Sequence, residues 1–307
     1  MTETALIFDI KRNCSEDGPG IRTTVFFKGC PLRCAWCHNP EGISSAPSLA
    51  FRGAVCHPDT CGAPCIRVCP TGALRLASPL AVDRAECTRC DLCFGVCRSH
   101  ALEPVGYRIP VDQLLYRVLI DKPFFLSTQG GVTLSGGEPT LQMTFISRFL
   151  AGLKQEGVST AIETCGYFDF ERFRELALPY LDLIYFDLKL FDDEQCRRHT
   201  GQLAGPVLRN LARLLEVASI PVIPRIPLIP GITDTAENLS ALGRFLRRHA
   251  VAQCSLMRYN PLWRDKLETL GLAAAYGYGG FPPRSSEDAC VRYFHAASEG
   301  GTLRANL

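Results

Sequence analysis

The feature that most constrains this chain is the crowding of its cysteines. The sequence contains 16, and eleven of them lie between Cys30 and Cys97. A disulfide framework usually explains such a density, but disulfide-rich proteins are typically short and secreted. This chain has 307 residues, and its first residues, MTETALIFDIKRN, lack the apolar run of an export signal. Metal ligation is therefore the favoured interpretation.

The eleven crowded cysteines fall into three groups. The first is compact, and the other two lie in a Pro- and Gly-rich stretch, residues 50–105, that shows no long helical periodicity. We predict that this stretch is a small inserted domain whose fold depends on bound metal. The three groups are Cys30, Cys34 and Cys37; Cys56, Cys61, Cys65 and Cys69; and Cys87, Cys90, Cys93 and Cys97.

The first group, within GCPLRCAWCHNP, has the spacing Cys-x3-Cys-x2-Cys. A cubane [4Fe–4S] cluster normally takes four thiolates. Three cysteines would leave one iron without a protein ligand, and an open iron can bind a small molecule, as catalysis requires. The alternatives are a zinc site with His38 as the fourth ligand, or three unconnected core cysteines.

The second and third groups are similar to the cysteine runs of bacterial two-cluster ferredoxins. The third has the spacing Cys-x2-Cys-x2-Cys-x3-Cys, and the second, looser at its start, ends in Cys69-Pro70. In such pairs the fourth cysteine of each run serves the other cluster. A pair of zinc knuckles is the alternative. The predicted ligand sets are Cys56, Cys61, Cys65 and Cys97 for one cubane, and Cys87, Cys90, Cys93 and Cys69 for the other.

Outside the insert, predicted strands and helices alternate, which indicates an α/β fold with a parallel sheet, open or closed into a barrel. Polar residues follow the strands, as in α/β barrels, whose chemistry gathers at the carboxyl ends of the strands. Apolar residues three and four apart predict helices over Leu141–Glu156, Val207–Ala218 and Thr235–Arg248. The predicted strands are Arg22–Lys28, Gly131–Ser135, Ser159–Glu163, Leu183–Leu188, Val222–Leu228 and Cys254–Tyr259.

The three-cysteine spacing, with the aromatic Trp36 before its last cysteine, resembles the signature of the radical S-adenosylmethionine (SAM) superfamily. The segment VTLSGGEPTLQ, which contains Gly136, Gly137 and Glu138, resembles the superfamily's loop for the amino group of SAM. Glycines let a ligand approach the backbone closely, and the Glu138 carboxylate would accept hydrogen bonds from an ammonium group.

Residues at other predicted strand ends would complete such a site. Lys189 and Arg225 suit the carboxylate of SAM, and Asp187 suits its ribose, its sulfonium or a bound monovalent cation. Thr164 lies in IETCGY, and Asn260, in MRYNPLW, could reach the adenine or the ribose. Taken singly, each charged residue is equally well explained as a solvated rim charge.

Nearly the whole chain resembles the glycyl radical enzyme activating enzymes. The insert makes it more similar to the activating enzymes of decarboxylases, diol dehydratases, choline lyase and benzylsuccinate synthase than to the shorter pyruvate formate-lyase activating enzyme. Glu163 and Asn260 stand where the short relatives carry Asp and His. The resemblance rests on DGPGIRTTVFFKGCPLRCAWCHNPEG, the cysteine-rich insert, TLSGGEP, ETCGY, DLKLFDDEQCRRHTG, RIPLIPG and YNPL.

The resemblance implies a partial (β/α)6 TIM-like barrel formed by residues 1–49 and 106–307, with a ferredoxin-like insert at 50–105. It implies three [4Fe–4S] clusters and the reductive cleavage of SAM to a 5′-deoxyadenosyl radical. That radical would remove an α-hydrogen from a glycine of a partner glycyl radical enzyme, in anaerobic metabolism. A ferredoxin or flavodoxin would donate the electrons.

Composition excludes other classes of protein. Lys and Arg total 33 against 31 Asp and Glu, a net charge of +2, which argues against nucleic-acid binding. No apolar run approaches the roughly 18 residues of a membrane helix. We expect a cytoplasmic monomer. Two functional alternatives are a radical SAM enzyme acting directly on a small molecule or peptide, and a non-catalytic iron–sulfur electron-transfer protein.

Overall fold

Strands and helices alternate along most of the chain, for which a computed structural model describes residues 3–296 and 304–306. The strands are β1 (Thr4–Cys14), β2 (Arg22–Phe27), β3 (Ser48–Phe51), β4 (Leu74–Arg75), β5 (Ala81–Val82), β6 (Leu102–Val105), β7 (Tyr107–Pro110), β8 (Gly131–Gly136), β9 (Ser159–Thr164), β10 (Leu183–Asp187), β11 (Val222–Pro227), β12 (Gln253–Met257) and β13 (Arg304–Asn306). The α-helices are α1 (Pro58–Cys61), α2 (Pro64–Val68), α3 (Leu92–Val96), α4 (Val111–Leu119), α5 (Lys122–Thr128), α6 (Met143–Gln155), α7 (Phe170–Leu176), α8 (Asp193–Thr200), α9 (Ala204–Val217), α10 (Ala236–Arg248), α11 (Arg264–Leu270) and α12 (Arg284–Ala296).

Six parallel strands form the centre of the main sheet, in the order β2-β8-β9-β10-β11-β12. β13 extends this sheet in parallel beyond β12, while β1 and β7 extend it antiparallel beyond β2. Within the described residues, β7 and β13 each have a single neighbour in this sheet, so the sheet is open. The predicted α/β fold of the partial-barrel type is confirmed. The outer strands β7 and β13 have four and three residues, too few for a recognisable periodicity.

The predicted elements agree with those in the structure. Each predicted strand coincides with a strand of the sheet to within two residues, and each predicted helix to within three. At the start of α10, the Thr235 side chain accepts a hydrogen bond from the Asn238 N–H at 3.2 Å, as expected of a helix cap. Among the described residues, no helix combines the length and the apolarity needed to cross a bilayer.

One large apolar cluster joins the central strands to the helices that follow them. Val25 and Leu134 of the sheet pack in it with Phe149 of α6, Leu211 of α9 and Leu242 of α10, all fully buried. Burying each large apolar side chain contributes about 1.5–3 kcal/mol. The cluster therefore holds rigid the sheet whose carboxyl edge carries the candidate site.

The cysteine-rich segment leaves and re-enters the fold at one place. β3 and β6 pair antiparallel, with Ser48 opposite Val105, and this ladder brackets the segment close to the predicted boundaries of 50 and 105. Its helices have four or five residues, and its small core includes the buried Cys65 and Cys93. Arg84 ties it to the barrel by donating to the Thr269 carbonyl at 3.0 Å. That the segment is a ferredoxin-like domain stays a prediction.

Candidate active site

The predicted site residues lie along the carboxyl edge of the sheet. Gly136, Thr164 and Asp187 are the last residues of β8, β9 and β10. Arg225 lies inside β11 but is level with Asp187, its partner in the parallel register. The loop Cys30–Cys37 follows the end of β2. The parallel register therefore brings these residues to one rim, as in α/β barrels.

The three-cysteine loop is fastened on two sides. The Cys30 N–H donates to the Ile43 carbonyl at 3.2 Å, and the Arg33 N–H donates to the Thr200 carbonyl at the end of α8, at 2.7 Å. Trp36, predicted to contact the cofactor, is 3% exposed and packs in an apolar cluster with Tyr259. In this structure Trp36 therefore anchors the loop to the barrel.

The loop residues Cys30, Cys34 and Cys37 are half-buried. Burial raises the pKa of Cys34, and it raises the pKa of Cys37 to about 12. Metal binds the thiolate and releases the thiol proton. Three neighbouring thiols at the rim are therefore a donor set for iron, and metal would have to displace the protons that burial retains on Cys34 and Cys37.

Gly136 and Gly137 allow β8 to end directly against the end of β2. Gly136 has a φ of +112°, and a Cβ there would lie 2.4 Å from the Phe27 nitrogen. A Cβ on Gly137 would lie 2.2 Å from the Gly29 oxygen, and the Glu138 N–H donates to that oxygen at 2.7 Å. The sequence suggested that a ligand makes this close approach. In the structure the chain's own backbone makes it.

The Glu138 carboxylate is completely buried. It accepts hydrogen bonds from the Thr140 hydroxyl at 2.7 Å, from the Thr164 hydroxyl at 3.0 Å and from the Cys165 N–H at 2.7 Å. Burial raises its pKa in spite of these bonds. Glu138 thus links the ends of β8 and β9, and it would have to turn toward the rim to meet the predicted ligand ammonium.

Four charged side chains form a network on the strands β9 to β11 and the residues that follow β10. Arg225 donates to Asp187 at 2.9 Å and also pairs with Glu163. Lys189 contacts the second oxygen of Asp187 at 3.3 Å. Burial opposes the charges on Asp187, Lys189 and Arg225, but their partners outweigh it, because the pKa of Asp187 is lowered and those of Arg225 and Lys189 are raised. The network is neutral in sum.

This network surrounds the Asp187 carboxylate, where a monovalent cation is predicted. Each oxygen of the Asp187 carboxylate already contacts a cationic side chain, Oδ1 that of Arg225 and Oδ2 that of Lys189. An added cation would meet two positive charges at close range. The monovalent cation near Asp187 stays a prediction.

Asn260 lies three residues beyond β12. Its side-chain oxygen accepts a hydrogen bond from the Leu262 N–H at 2.9 Å and caps the short 3-10 helix Pro261–Trp263. The contact predicted between Asn260 and adenosine stays a prediction.

The insert cysteines line two separate cavities. In each cavity, three cysteines of one run meet the fourth cysteine of the other run. The first is lined by Cys56, Cys61, Cys65 and Cys97, and the second by Cys69, Cys87, Cys90 and Cys93. Among the residues that the structure describes, no three His, Cys, Asp or Glu side chains are arranged to hold a single metal ion.

A comparison with the sequence profiles of protein families shows to which family the chain belongs. The sequence profile of the Radical SAM superfamily matches residues 24–242, from β2 into α10. The chain belongs to the radical SAM superfamily. Membership implies SAM and a [4Fe–4S] cluster.

Relatives of this radical SAM protein are activating enzymes. The isethionate sulfite-lyase activating enzyme of Nitratidesulfovibrio vulgaris is 37% identical over 278 residues, which cover 89% of this chain and 90% of the relative. The choline trimethylamine-lyase activating enzyme of Oleidesulfovibrio alaskensis is 38% identical over 304 residues, covering 94% and 96%. The predicted family of glycyl radical enzyme activating enzymes is therefore confirmed.

A solved structure agrees with the fold. The crystal structure of a radical SAM methyltransferase from Sphaerobacter thermophilus matches with a TM-score of 0.51 at 13% identity. The match covers 97% of this chain and 77% of the methyltransferase. At this identity the likeness concerns the architecture alone.

One residue of this radical SAM protein was not singled out by its sequence pattern. The sequence predicts that Cys165 is an ordinary core thiol. In the structure this buried residue lies between Cys30 and Glu138. A hydrogen bond with Cys165 lowers the pKa of the Cys30 thiol, and the same bond, with burial, raises the pKa of Cys165. The sequence feature that could have identified Cys165 is its position directly after Thr164, at the end of β9.

Proposed function

We propose that this radical SAM protein holds a [4Fe–4S] cluster on Cys30, Cys34 and Cys37, binds SAM beside it and activates a glycyl radical enzyme. The observation that carries the proposal is the position of the three thiols, in one fastened loop at the carboxyl rim beside a charged network. The loop contains no fourth cysteine, so one iron of a cubane would stay open to a ligand.

The proposed reaction ends on a second protein. When bound and reduced, a cluster of this type supplies one electron to the sulfonium of SAM, which releases methionine and a 5′-deoxyadenosyl radical. The radical removes an α-hydrogen from a glycine of the partner and becomes 5′-deoxyadenosine. The rim must exclude water while this happens, because water exclusion prevents side reactions of the radical.

The chain's own residues bind and orient SAM. Within the described residues Lys189 pairs with one carboxylate, Asp187, whereas Arg225 bridges Asp187 and Glu163. Lys189 is therefore the cation that we assign to the carboxylate of SAM, and Arg225 holds the two acidic side chains in place. Glu138 positions the end of β9 through its bond to Thr164.

The proposal is tested by anaerobic reconstitution with iron and sulfide, followed by dithionite and SAM. We expect 5′-deoxyadenosine and methionine in equal amounts, measured by chromatography. With the correct partner, an EPR doublet from a glycyl radical should appear as well. Failure to form 5′-deoxyadenosine would overturn the proposal. Cleavage of SAM without a radical on any candidate partner would favour a small molecule or peptide as the substrate.

We also propose that the insert holds two further [4Fe–4S] clusters, each with crossed ligands. The support is that each of the two cavities is surrounded by four cysteines, as a cubane requires. The clusters give the short helices of the insert a metal-dependent core. An acidic ferredoxin or flavodoxin as electron donor, and a monomeric state, belong to the same proposal.

Double substitutions in the insert can test the crossed pairing. Cys69→Ala/Cys87→Ala removes two ligands of one cluster, so we expect about eight irons per chain instead of about twelve. Cys69→Ala/Cys65→Ala removes one ligand from each and leaves three, as many as hold the cubane of the three-cysteine loop, so we expect the iron content to stay at about twelve. Iron and sulfide analysis of the reconstituted variants gives the counts. If each run bound its own cluster, the two results would be exchanged.

A further inference from the structure

Cys165 lies beside Cys30, the first thiol of the three-cysteine loop, although the two residues come from different strand ends. Cys30 lies three residues beyond β2, and Cys165 directly follows β9. Their side chains share a hydrogen bond, and Cys165 is only 7% exposed. The proposed function assigns no role to this buried thiol.

Glu138 holds both cysteines in place. Its N–H donates at 2.7 Å to the carbonyl of Gly29, the residue before Cys30. Its carboxylate accepts the Cys165 N–H, also at 2.7 Å. Glu138 is completely buried. The contact between the two thiols is therefore fixed by hydrogen bonds to the main chain on each side, and not by the orientation of two exposed side chains.

The main chain after Cys165 is fastened as well. Gly166 has a φ of +75°, and a Cβ there would lie 2.2 Å from the ring of Phe186. The Gly166 carbonyl accepts a hydrogen bond from the Asn210 side chain at 2.9 Å. Glycine meets both the conformation and the close packing at this position. The turn that carries Cys165 is therefore held in one conformation.

The Cys165 thiol has two acceptors within reach, the Cys30 sulfur and the Glu138 carboxylate. The carboxylate is already supplied with donors, since Oε1 accepts the Thr140 hydroxyl and Oε2 accepts the Cys165 N–H, both at 2.7 Å. A cysteine binds metal as the thiolate, which can accept a hydrogen bond but cannot donate one. With iron bound to Cys30, the bond between the two sulfurs must therefore be donated by Cys165.

We propose that the Cys165 thiol donates a hydrogen bond to the Cys30 sulfur of the bound cluster and makes that cluster easier to reduce. This inference rests on the proposed function, since it requires the cluster on Cys30, Cys34 and Cys37. Cys165 is a positioning residue, because it acts through Cys30. It forms no bond to iron, and its proton stays on sulfur while the cluster gains one electron.

Hydrogen bonds to the ligand sulfurs are among the factors that set the reduction potential of an iron–sulfur cluster. Such a bond raises the potential, because it stabilises the negative charge that the cluster gains on reduction. A thiol is a weak donor, but a buried hydrogen bond is electrostatically stronger than one in water. The Leu32 backbone also forms a hydrogen bond with the Cys30 sulfur, so Cys165 adds a second donor to one ligand.

Cys165 is not placed as a fourth ligand of the same cluster. Sulfurs that bind different irons of one cubane are held apart by the cluster, whereas the Cys165 thiol is in hydrogen-bond contact with the Cys30 sulfur. The three loop residues are half-buried at the rim, but Cys165 is buried with its main chain bound to Glu138. The fourth iron therefore stays open.

The test measures the reduction potential of the site cluster in the reconstituted full chain, by EPR at a series of applied potentials. The signal of the insert clusters is taken from Cys34→Ala and subtracted. We expect Cys165→Ala to lower the equilibrium constant for reduction about tenfold, which for one electron is a fall of about 59 mV. Cys165→Ser keeps a donor, so its potential should equal or exceed that of the parent.

Cys290→Ala is the matched control. Cys290 is 4% exposed in α12, and its thiol donates to the Asp234 carbonyl at 3.8 Å. The variant therefore also loses a buried thiol and its hydrogen bond, but on an element that carries none of the site residues. Its cluster should have the potential of the parent.

Two results would overturn the role of Cys165 while leaving the proposed function intact. One is a parental potential in Cys165→Ala. The other is a potential in Cys165→Ser as low as that of Cys165→Ala, since the volume of the side chain would then matter and not the hydrogen bond. If Cys165→Ala cannot hold the cluster, Cys165→Ser decides alone, and a potential tenfold less favourable than the parent's rejects the bond.

Adding SAM separates this inference from the proposed function. The EPR signal of the parent's site cluster should change when SAM binds, and 5′-deoxyadenosine should form with dithionite. If the loaded parent shows neither, the proposed function fails, whatever the potentials are. If SAM changes the signal of Cys165→Ala but not that of the parent, Cys165 is the fourth ligand, and both the inference and the proposed function fail.

Discussion

Replacing Cys34 by alanine should abolish the cleavage of SAM. Two thiolates, Cys30 and Cys37, would remain in the loop, too few to hold a cubane with one open iron. We expect 5′-deoxyadenosine formation with dithionite to fall at least a hundredfold, to background. The iron content of the reconstituted protein should fall from about twelve to about eight per chain, because the two proposed insert clusters would be unaffected.

Cys254→Ala is the matched control for this result. Cys254 is fully buried in β12, outside the loop and the insert, and its thiol donates weakly to a backbone carbonyl at 3.9 Å. Its loss removes a small apolar volume from the core, and the effect should be a modest loss of stability with cleavage and iron content unchanged. Cleavage of SAM by Cys34→Ala at the parental rate would remove the three-cysteine loop from the reaction.

The fold could be predicted from the sequence, because the patterns that indicate its strands and helices are local. The apolar run of β10, LIYFD, is typical of a central parallel strand. Cysteine spacing is also local, and the crossed grouping of Cys69 with Cys87 and of Cys97 with Cys56 followed from it. By contrast, β13 pairs with β12 across more than 40 residues, and its three residues carry no pattern of their own.

The site could be predicted only in part, because the spacing of residues in the sequence does not show which side chains form hydrogen bonds or ion pairs with each other. The segment SGGEP suggested a glutamate turned toward a ligand. In the structure Glu138 accepts hydrogen bonds from Thr140, two residues further along, and from Thr164 and Cys165 at the end of the next strand. Likewise, Asp187 and Arg225 are 38 residues apart in sequence and 2.9 Å apart in the structure. The sequence did not indicate that these two side chains form an ion pair.

Replacing Arg225 by methionine should strongly destabilise the protein. Arg225 is 8% exposed, and its loss leaves Asp187 with Lys189 alone and Glu163 without a cation. Breaking a buried ion pair by removing one partner costs about 3–5 kcal/mol, because a buried charge is left uncompensated. For a chain of this size we expect the midpoint of thermal unfolding to fall by roughly 6–15 °C, followed anaerobically by circular dichroism at one scan rate. SAM cleavage should fall as well, since Asp187 no longer holds Lys189 in the same place.

Arg174→Met makes the matched comparison, because Arg174 also pairs with a glutamate, Glu171, but both side chains are more than half exposed. An exposed pair contributes about 0–1 kcal/mol, so its loss should move the midpoint by no more than roughly 3 °C. Adding Glu163→Gln to Arg225→Met removes one of the uncompensated charges and should therefore recover part of the lost stability. If Arg225→Met were as mild as Arg174→Met, or if Glu163→Gln brought no recovery, the charges at the rim would be solvated individually.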